Sequence, residues 1–373
     1  MASFADRAGR RDPVAWDVAL GVARQAVRVV GDPVSDAEVA SLQEELSEVT
    51  ARAERLVEAA SGLRAVGAPT QAKVVTRQGW AEANVGSFRR LLRPLGERLA
   101  ARSRRSLTPA SAIAAGVEVG LVLGWLSGRV LGQYDLLPGE AGGAGEGAGS
   151  EGAGDAVYYV APNILGLERL HGFPPSQFRL WIALHEVTHR LQFTGVPWMR
   201  QHFLGIVERG TDLATPDLGS LLASLRRAAL AVREGRNPLA EGGIVALLAT
   251  SEQLATLQEA QALMSLLEGH SDVVMSKAAA EEIPEASRFA ATLHERRTSA
   301  SGLARAVQQV IGLEQKMLQY AEGERFVEAL LEAGGDELLA RVWSAPEMLP
   351  SLEEVREPSR WVARASGKAV ATA

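Results

Sequence analysis

Residues 177–195 read Gln-Phe-Arg-Leu-Trp-Ile-Ala-Leu-His-Glu-Val-Thr-His-Arg-Leu-Gln-Phe-Thr-Gly. Phe173-Pro-Pro-Ser upstream supplies a helix start, and Gly195 with Pro197 just beyond supplies the stop. Phe178, Ile182, His185 and His189 fall on one stripe at helical spacing. Leu180, Leu184, Val187 and Leu191 make the rest of the surface largely apolar. A helix apolar nearly all round is a buried helix. Burying two imidazoles and a carboxylate is costly unless they are paired or hold a metal.

The pentapeptide at 185–189, His-Glu-Val-Thr-His, fits the second possibility. Histidines four apart project from one face on consecutive turns and can reach a single zinc ion. Glu186 then sits where it can take a proton from water activated by the ion, the H-E-x-x-H arrangement of zinc peptidases. A catalytic zinc needs a third protein ligand and one open position. The chain has no cysteine, so His, Asp or Glu must serve. His171, His202, His270 and His294 remain, and position 195 is Gly, which argues against the three-histidine pattern with a Met-turn. The segment Met264–Met275 is the best source. It ends a long helical stretch from about Glu252, on which Leu257, Gln261, Met264, Glu268 and Asp272 form one stripe and Glu268 and Asp272 share a face. One carboxylate can bind the ion while the other accepts the free N–H of a ligating imidazole. His270 competes as third ligand, but two positions from Glu268 on an unbroken helix it points the other way. Gly269 would let this helix approach the His185 helix closely.

His185-Glu186-x-x-His189 followed by Glu268-x-x-x-Asp272 resembles the gluzincin signature, in which Glu268 would complete the zinc site and Asp272 would support a histidine. The runs at 128–135, 178–198, 266–275 and 319–327 resemble, more narrowly, a family of zincin-like hydrolases labelled as associated with coenzyme F420 biosynthesis. The likeness spans about Trp16 to Pro350. One departure is the separation of the two motifs by residues 190–267, far longer than in thermolysin-like enzymes.

The remainder of the chain sets the frame. At 373 residues and 47% hydrophobic content it can bury a substantial core. The net charge of −6 gives no reason to expect nucleic acid. Absence of cysteine excludes disulfides, thiolate ligands and a cysteine nucleophile. The N-terminal residues lack the apolar core of a signal peptide, so cytoplasm is the expected location. Ala110 to Leu131 is long and apolar, with Gly116, Gly120 and Gly124 as a small-residue ridge. Glu118 and Arg129 within it favour a buried, closely packed helix over a membrane span. Residues 138–155 form a Gly-rich insert without the Lys-Ser/Thr of a phosphate loop.

Short strands are expected at 73–77, 133–137 and 156–161, the last as the edge along which substrate lies in zincins, with the insert overhanging it. Helices are expected at 34–65, 79–104, 215–234, 239–276, 285–297, 300–322 and 323–334, with a loose tail from 357. The class is α+β, predominantly helical, around a small sheet. An N-terminal helical region, 1–106, would precede a zincin-like region, 107–356, or run on with it as one domain.

The expected function is zinc-dependent hydrolysis of a peptide or amide bond, with His185, His189 and Glu268 holding Zn2+ and Glu186 as general base. Tyr320 is the candidate oxyanion donor. Trp198, just after the helix stop, is expected to cap the core, and Arg190 and Arg200 to form ion pairs or lie at the surface. The alternatives are an inactive zincin-fold binding module, a structural zinc protein, or an amidohydrolase acting on a small molecule in cofactor metabolism.

Overall fold

The structure is a computed structural model that describes residues 12–31, 34–102, 108–137, 156–212, 250–280, 282–298 and 313–367. The Gly-rich insert and the expected helix at 215–234 lie outside these residues. So does the expected helix at 300–322 as far as residue 312. Contacts divide the chain into two units. The first runs to Pro197 and resumes from Ser271 to Lys316. The second takes Trp198–His270 and the chain from Met317.

In the first unit, α1 (Trp16–Val30), α2 (Asp36–Ser61), α3 (Arg77–Arg102), α4 (Pro109–Ser127), α5 (Ala161–His171) and α6 (Pro175–Thr194) surround three strands. The strands are β1 (Gln71–Val75), β2 (Gly132–Tyr134) and β3 (Ala156–Val160), each within a few residues of its expected position. The sheet order is β1-β3-β2. β1 pairs parallel with β3 (Gln71 to Ala156, Val75 to Val160), and β2 pairs antiparallel (Gly132 to Tyr159, Tyr134 to Val157). β1 and β3, which lie on either side of residue 106 in the chain, share this sheet. β3 is also the middle strand, so it is not the substrate edge expected of it. Among the described residues its N–H and C=O groups are committed to β1 on one side and β2 on the other.

α2 begins with a capping box. The Ser35 hydroxyl accepts from the Glu38 N–H, and the Glu38 carboxylate accepts from the Ser35 N–H at 2.8 Å. Its buried face, Leu42, Leu46, Ala53 and Val57, packs with β3 and with Leu184, Val187 and Leu191 of α6. Polar ties run through the same contact. Arg190 of α6, fully buried, donates to Glu54 at 2.9 Å and to the Ala68 carbonyl at 2.6 Å. Thr50 and the Tyr159 hydroxyl share a hydrogen bond at 2.8 Å, and burial raises the Tyr159 phenol above its ordinary pKa. Gly195 caps the end of α6, and only glycine fits there, since a Cβ would stand 2.7 Å from the carbonyls of Arg64 and Leu191.

α4 departs from its expected burial. Its glycine ridge seats on α1: a Cβ at Gly116 would stand 2.6 Å from the Ala15 carbonyl, and one at Gly120 2.5 Å from that of Ala19. The opposite side, with Ile113, Val117 and Leu121, is exposed. The helix is long and apolar enough to cross a membrane by length and composition, with 28% of that window buried.

The second unit contains α7 (Met199–Asp212), most of α8 (Ser251–Ala279), α10 (Leu313–Ala340) from Met317 on, α11 (Leu352–Arg356) and α12 (Pro358–Ala365). α8 continues past the unit boundary into the first unit, where α9 (Ala286–Thr298) comes next. α8 and α10 cross with backbone against backbone: a Cβ at Gly269 would meet the Gly323 carbonyl carbon at 2.1 Å, and one at Gly323 the Ser265 oxygen at 1.9 Å. Gly269 therefore serves the approach of α10. α10 runs unbroken through Gly323 and is interrupted at Gly334 and Gly335, the latter at φ 64°. The segment after Glu357, expected to be loose, forms α12. Its Trp361 is fully buried, and the indole N–H donates to the Met348 carbonyl at 2.7 Å. Trp198 donates its indole N–H to the Trp343 carbonyl at 3.1 Å, in keeping with a packing role.

Candidate metal centre

α6 brings His185 and His189 together as their spacing requires. The two Nε2 atoms converge to 3.2 Å, with ring planes at 86°. Zinc–imidazole bonds of about 2.0–2.1 Å in tetrahedral geometry would separate two such nitrogens by about 3.3 Å. The donor pair therefore fits one shared ion. The Nδ1 atoms face elsewhere. His189 Nδ1 lies 3.0 Å from Gln192 Oε1, and His185 Nδ1 lies 3.2 Å from Ser271 Oγ. Both partners are fully buried polar side chains.

α8 is one continuous helix, and its Ser271 touches His185. Glu268 stands one turn upstream of Ser271 on that helix. Ligand atoms of His185, His189 and Glu268 lie within 4.8 Å of one another, so the expected ligand set is brought together. Asp272, expected to support an imidazole, is half-buried next to Ser271. His270, the competing ligand, is fully buried with its ring edge-on to Trp343 at 4.9 Å. Tyr320 belongs to the part of α10 whose side chains lie outside the described residues.

Glu186 is buried, 7% exposed. Its Oε2 accepts a hydrogen bond from the Tyr134 backbone N–H at 3.1 Å. Gly132, two residues earlier on β2, makes room for it: a Cβ there would stand 2.6 Å from Glu186 Cγ and 2.8 Å from Oε1. The Tyr134 ring stacks on Phe193 of α6, centroids 6.1 Å apart. Just beyond, burial raises the carboxyl of Asp135 above its ordinary pKa, against the opposing Leu137 N–H and the charges of Arg90 and Lys73.

Gln192, Ser271, Gly132 and the Tyr134 N–H are site components that the sequence had not disclosed. Gln192 alone had a local signal, since it follows His189 by three on the same helix. The others depend on which segments meet in space.

No curated protein matches the chain. A crystal structure from Chloroflexus aurantiacus, described as a candidate hydrolase with a novel fold, is 30% identical to it. The two superpose with a TM-score of 0.68 over 95% of this chain and 100% of that one. The family model for zincin-like metallopeptidases matches residues 14–362. With paired histidines, a buried glutamate and a third carboxylate assembled on this frame, the chain belongs to the zincin-like metallopeptidase family.

Proposed function

We propose that this protein is a zinc-dependent hydrolase that cleaves a peptide or amide bond. The observation that carries this reading is the convergence of His185 Nε2 and His189 Nε2 beside the Glu268 carboxylate, with Glu186 buried on the same helix. Family membership and the hydrolase description of the structural relative support it.

His185, His189 and Glu268 would hold the ion. Zinc bound there supplies Lewis acidity, polarising a carbonyl and acidifying nearby water. Glu186, anchored on the Tyr134 N–H, accepts the proton of the attacking water and delivers it to the leaving amine. That anchor lets the carboxylate meet the water in one place without reorganising.

The pairing of β2 sets which of its backbone groups meet Glu186. Leu131 accepts from Val160 N–H and Asp135 donates to the Ala156 carbonyl, so odd-numbered residues face β3. The outward groups then belong to Gly132 and Tyr134, and the Tyr134 N–H is already used by Glu186.

The test joins metal analysis of wild type, His185→Ala and Glu268→Ala to cleavage of a peptide library, with Glu186→Gln as control. Stoichiometric zinc in wild type, reduced in both ligand variants, with cleavage abolished in Glu186→Gln, is the expected result. No zinc in wild type after zinc-supplemented purification overturns the proposal. Equal cleavage by Glu186→Gln overturns the assignment of the base.

A further inference from the structure

The two imidazoles are held by unlike partners. Gln192 presents its amide oxygen to His189 Nδ1, and an amide oxygen only accepts, so His189 carries its proton on Nδ1. Ser271 presents a hydroxyl to His185 Nδ1, and a hydroxyl can accept or donate. Both partners are fully buried.

We propose that Gln192 and Ser271 are the positioning residues of this centre and that they act unequally. Gln192 fixes His189 as the Nδ1–H tautomer with or without an ion. Ser271 lets His185 change tautomer as an ion enters. This rests on the metal-binding reading above.

The Nε2–Nε2 distance gives the physical reason. Two nitrogen lone pairs facing each other at 3.2 Å repel unless something positive lies between them. Without an ion, a proton on His185 Nε2 fills that role by donating to His189 Nε2, and the Ser271 hydroxyl donates to the bare His185 Nδ1. With an ion, the His185 proton moves to Nδ1 and the Ser271 hydroxyl turns to accept it. The proton count of the imidazole is unchanged, and His185 Nδ1 keeps Ser271 as its partner in both states. A carboxylate at position 271 could only accept. It would hold His185 in the ligating tautomer before any ion enters.

The test uses full-length 15N-labelled protein at about pH 8, above the ordinary histidine range. Long-range histidine 15N spectra are recorded after chelation and after zinc addition, and zinc affinity is measured by competition with a chromophoric chelator. In chelated wild type, His189 is expected as Nδ1–H and His185 as Nε2–H. On adding zinc, His185 alone should change tautomer. Gln192→Leu should weaken zinc binding by about 10- to 100-fold and leave His189 a mixture of tautomers, while Gln192→Glu should restore both properties. Ser271→Asp should show His185 as Nδ1–H before zinc is added. His185 already Nδ1–H in chelated wild type, or zinc affinity unchanged in Gln192→Leu, overturns the inference while leaving the proposed function standing. Failure of wild type to take up zinc overturns both.

Discussion

Glu186 and Tyr134 are 52 residues apart in sequence and joined by a 3.1 Å hydrogen bond from the Tyr134 backbone N–H to the Glu186 carboxylate. The bond places the proposed general base against β2, and the missing side chain of Gly132 makes the contact possible.

Gly132→Ala is therefore expected to displace Glu186 without touching a metal ligand. A Cβ at 132 would overlap Glu186 Cγ, Cδ and Oε1. General acid–base catalysis contributes about 10²- to 10⁴-fold, so a loss of about 10²-fold in kcat/KM is expected. Zinc stoichiometry should be unchanged. Metal analysis beside steady-state kinetics on any cleaved peptide checks this, and full activity in the variant would show that the Glu186 position is not critical.

Gly323→Ala is expected to destabilise the second unit. Its Cβ would stand 1.9 Å from the Ser265 carbonyl oxygen, and the obstacle is backbone, which cannot rotate aside. Overpacking of this kind costs about 3 kcal/mol. Urea unfolding should show a lower midpoint. Because α8 carries Glu268 one residue from Gly269, zinc affinity should fall as well.

Arg190 is fully buried, with Glu54 and the Ala68 carbonyl as acceptors. Arg190→Met leaves these acceptors without their cation, at a cost of about 3 kcal/mol. Replacing Glu54 by Gln in the same protein should return part of that loss. A double-mutant cycle by denaturant titration measures the coupling, and additive effects would show that the pair is not energetically joined.

Acid should weaken the C-terminal helices through Glu354. Burial pushes this carboxyl up, but hydrogen bonds from Arg364 and the Ser351 N–H outweigh it and leave the pKa below its ordinary value. A pKa lowered in the folded state contributes stability that is present above the ordinary value of 4.5 and lost as pH falls below it. The pair is partly exposed, so the contribution is at most about 1 kcal/mol. Fluorescence of Trp361, buried beside this segment, should report loosening on acidification, with a shallower acid limb in Glu354→Gln.

The spacing of His185, Glu186 and His189, the apolar girth of their helix, and its Pro start and Gly stop were all legible in the chain. So was the helix carrying Glu268. Each is a local pattern, set by 3.6-residue periodicity and by which residues can satisfy a helix end. The chain also showed that Gly269 needs a close neighbour. It could not show that the neighbour is Gly323, because a glycine records the need for space and not what fills it.

The order of the strands was decided only by tertiary structure. An apolar run such as 156–160 reads the same at the centre of a sheet or at its edge, and only pairing with β1 and β2 put it in the middle. The tail after 357 looked loose because its few apolar residues carry little periodic signal, yet one buried tryptophan anchors it. The partners of the metal-site residues were decided in the same way. Sequence determined which groups could ligate an ion, because ligand chemistry belongs to the residue. Tertiary structure decided that Gln192, Ser271, Gly132 and the Tyr134 N–H hold them in place, because orientation depends on which segments come to lie within hydrogen-bond reach.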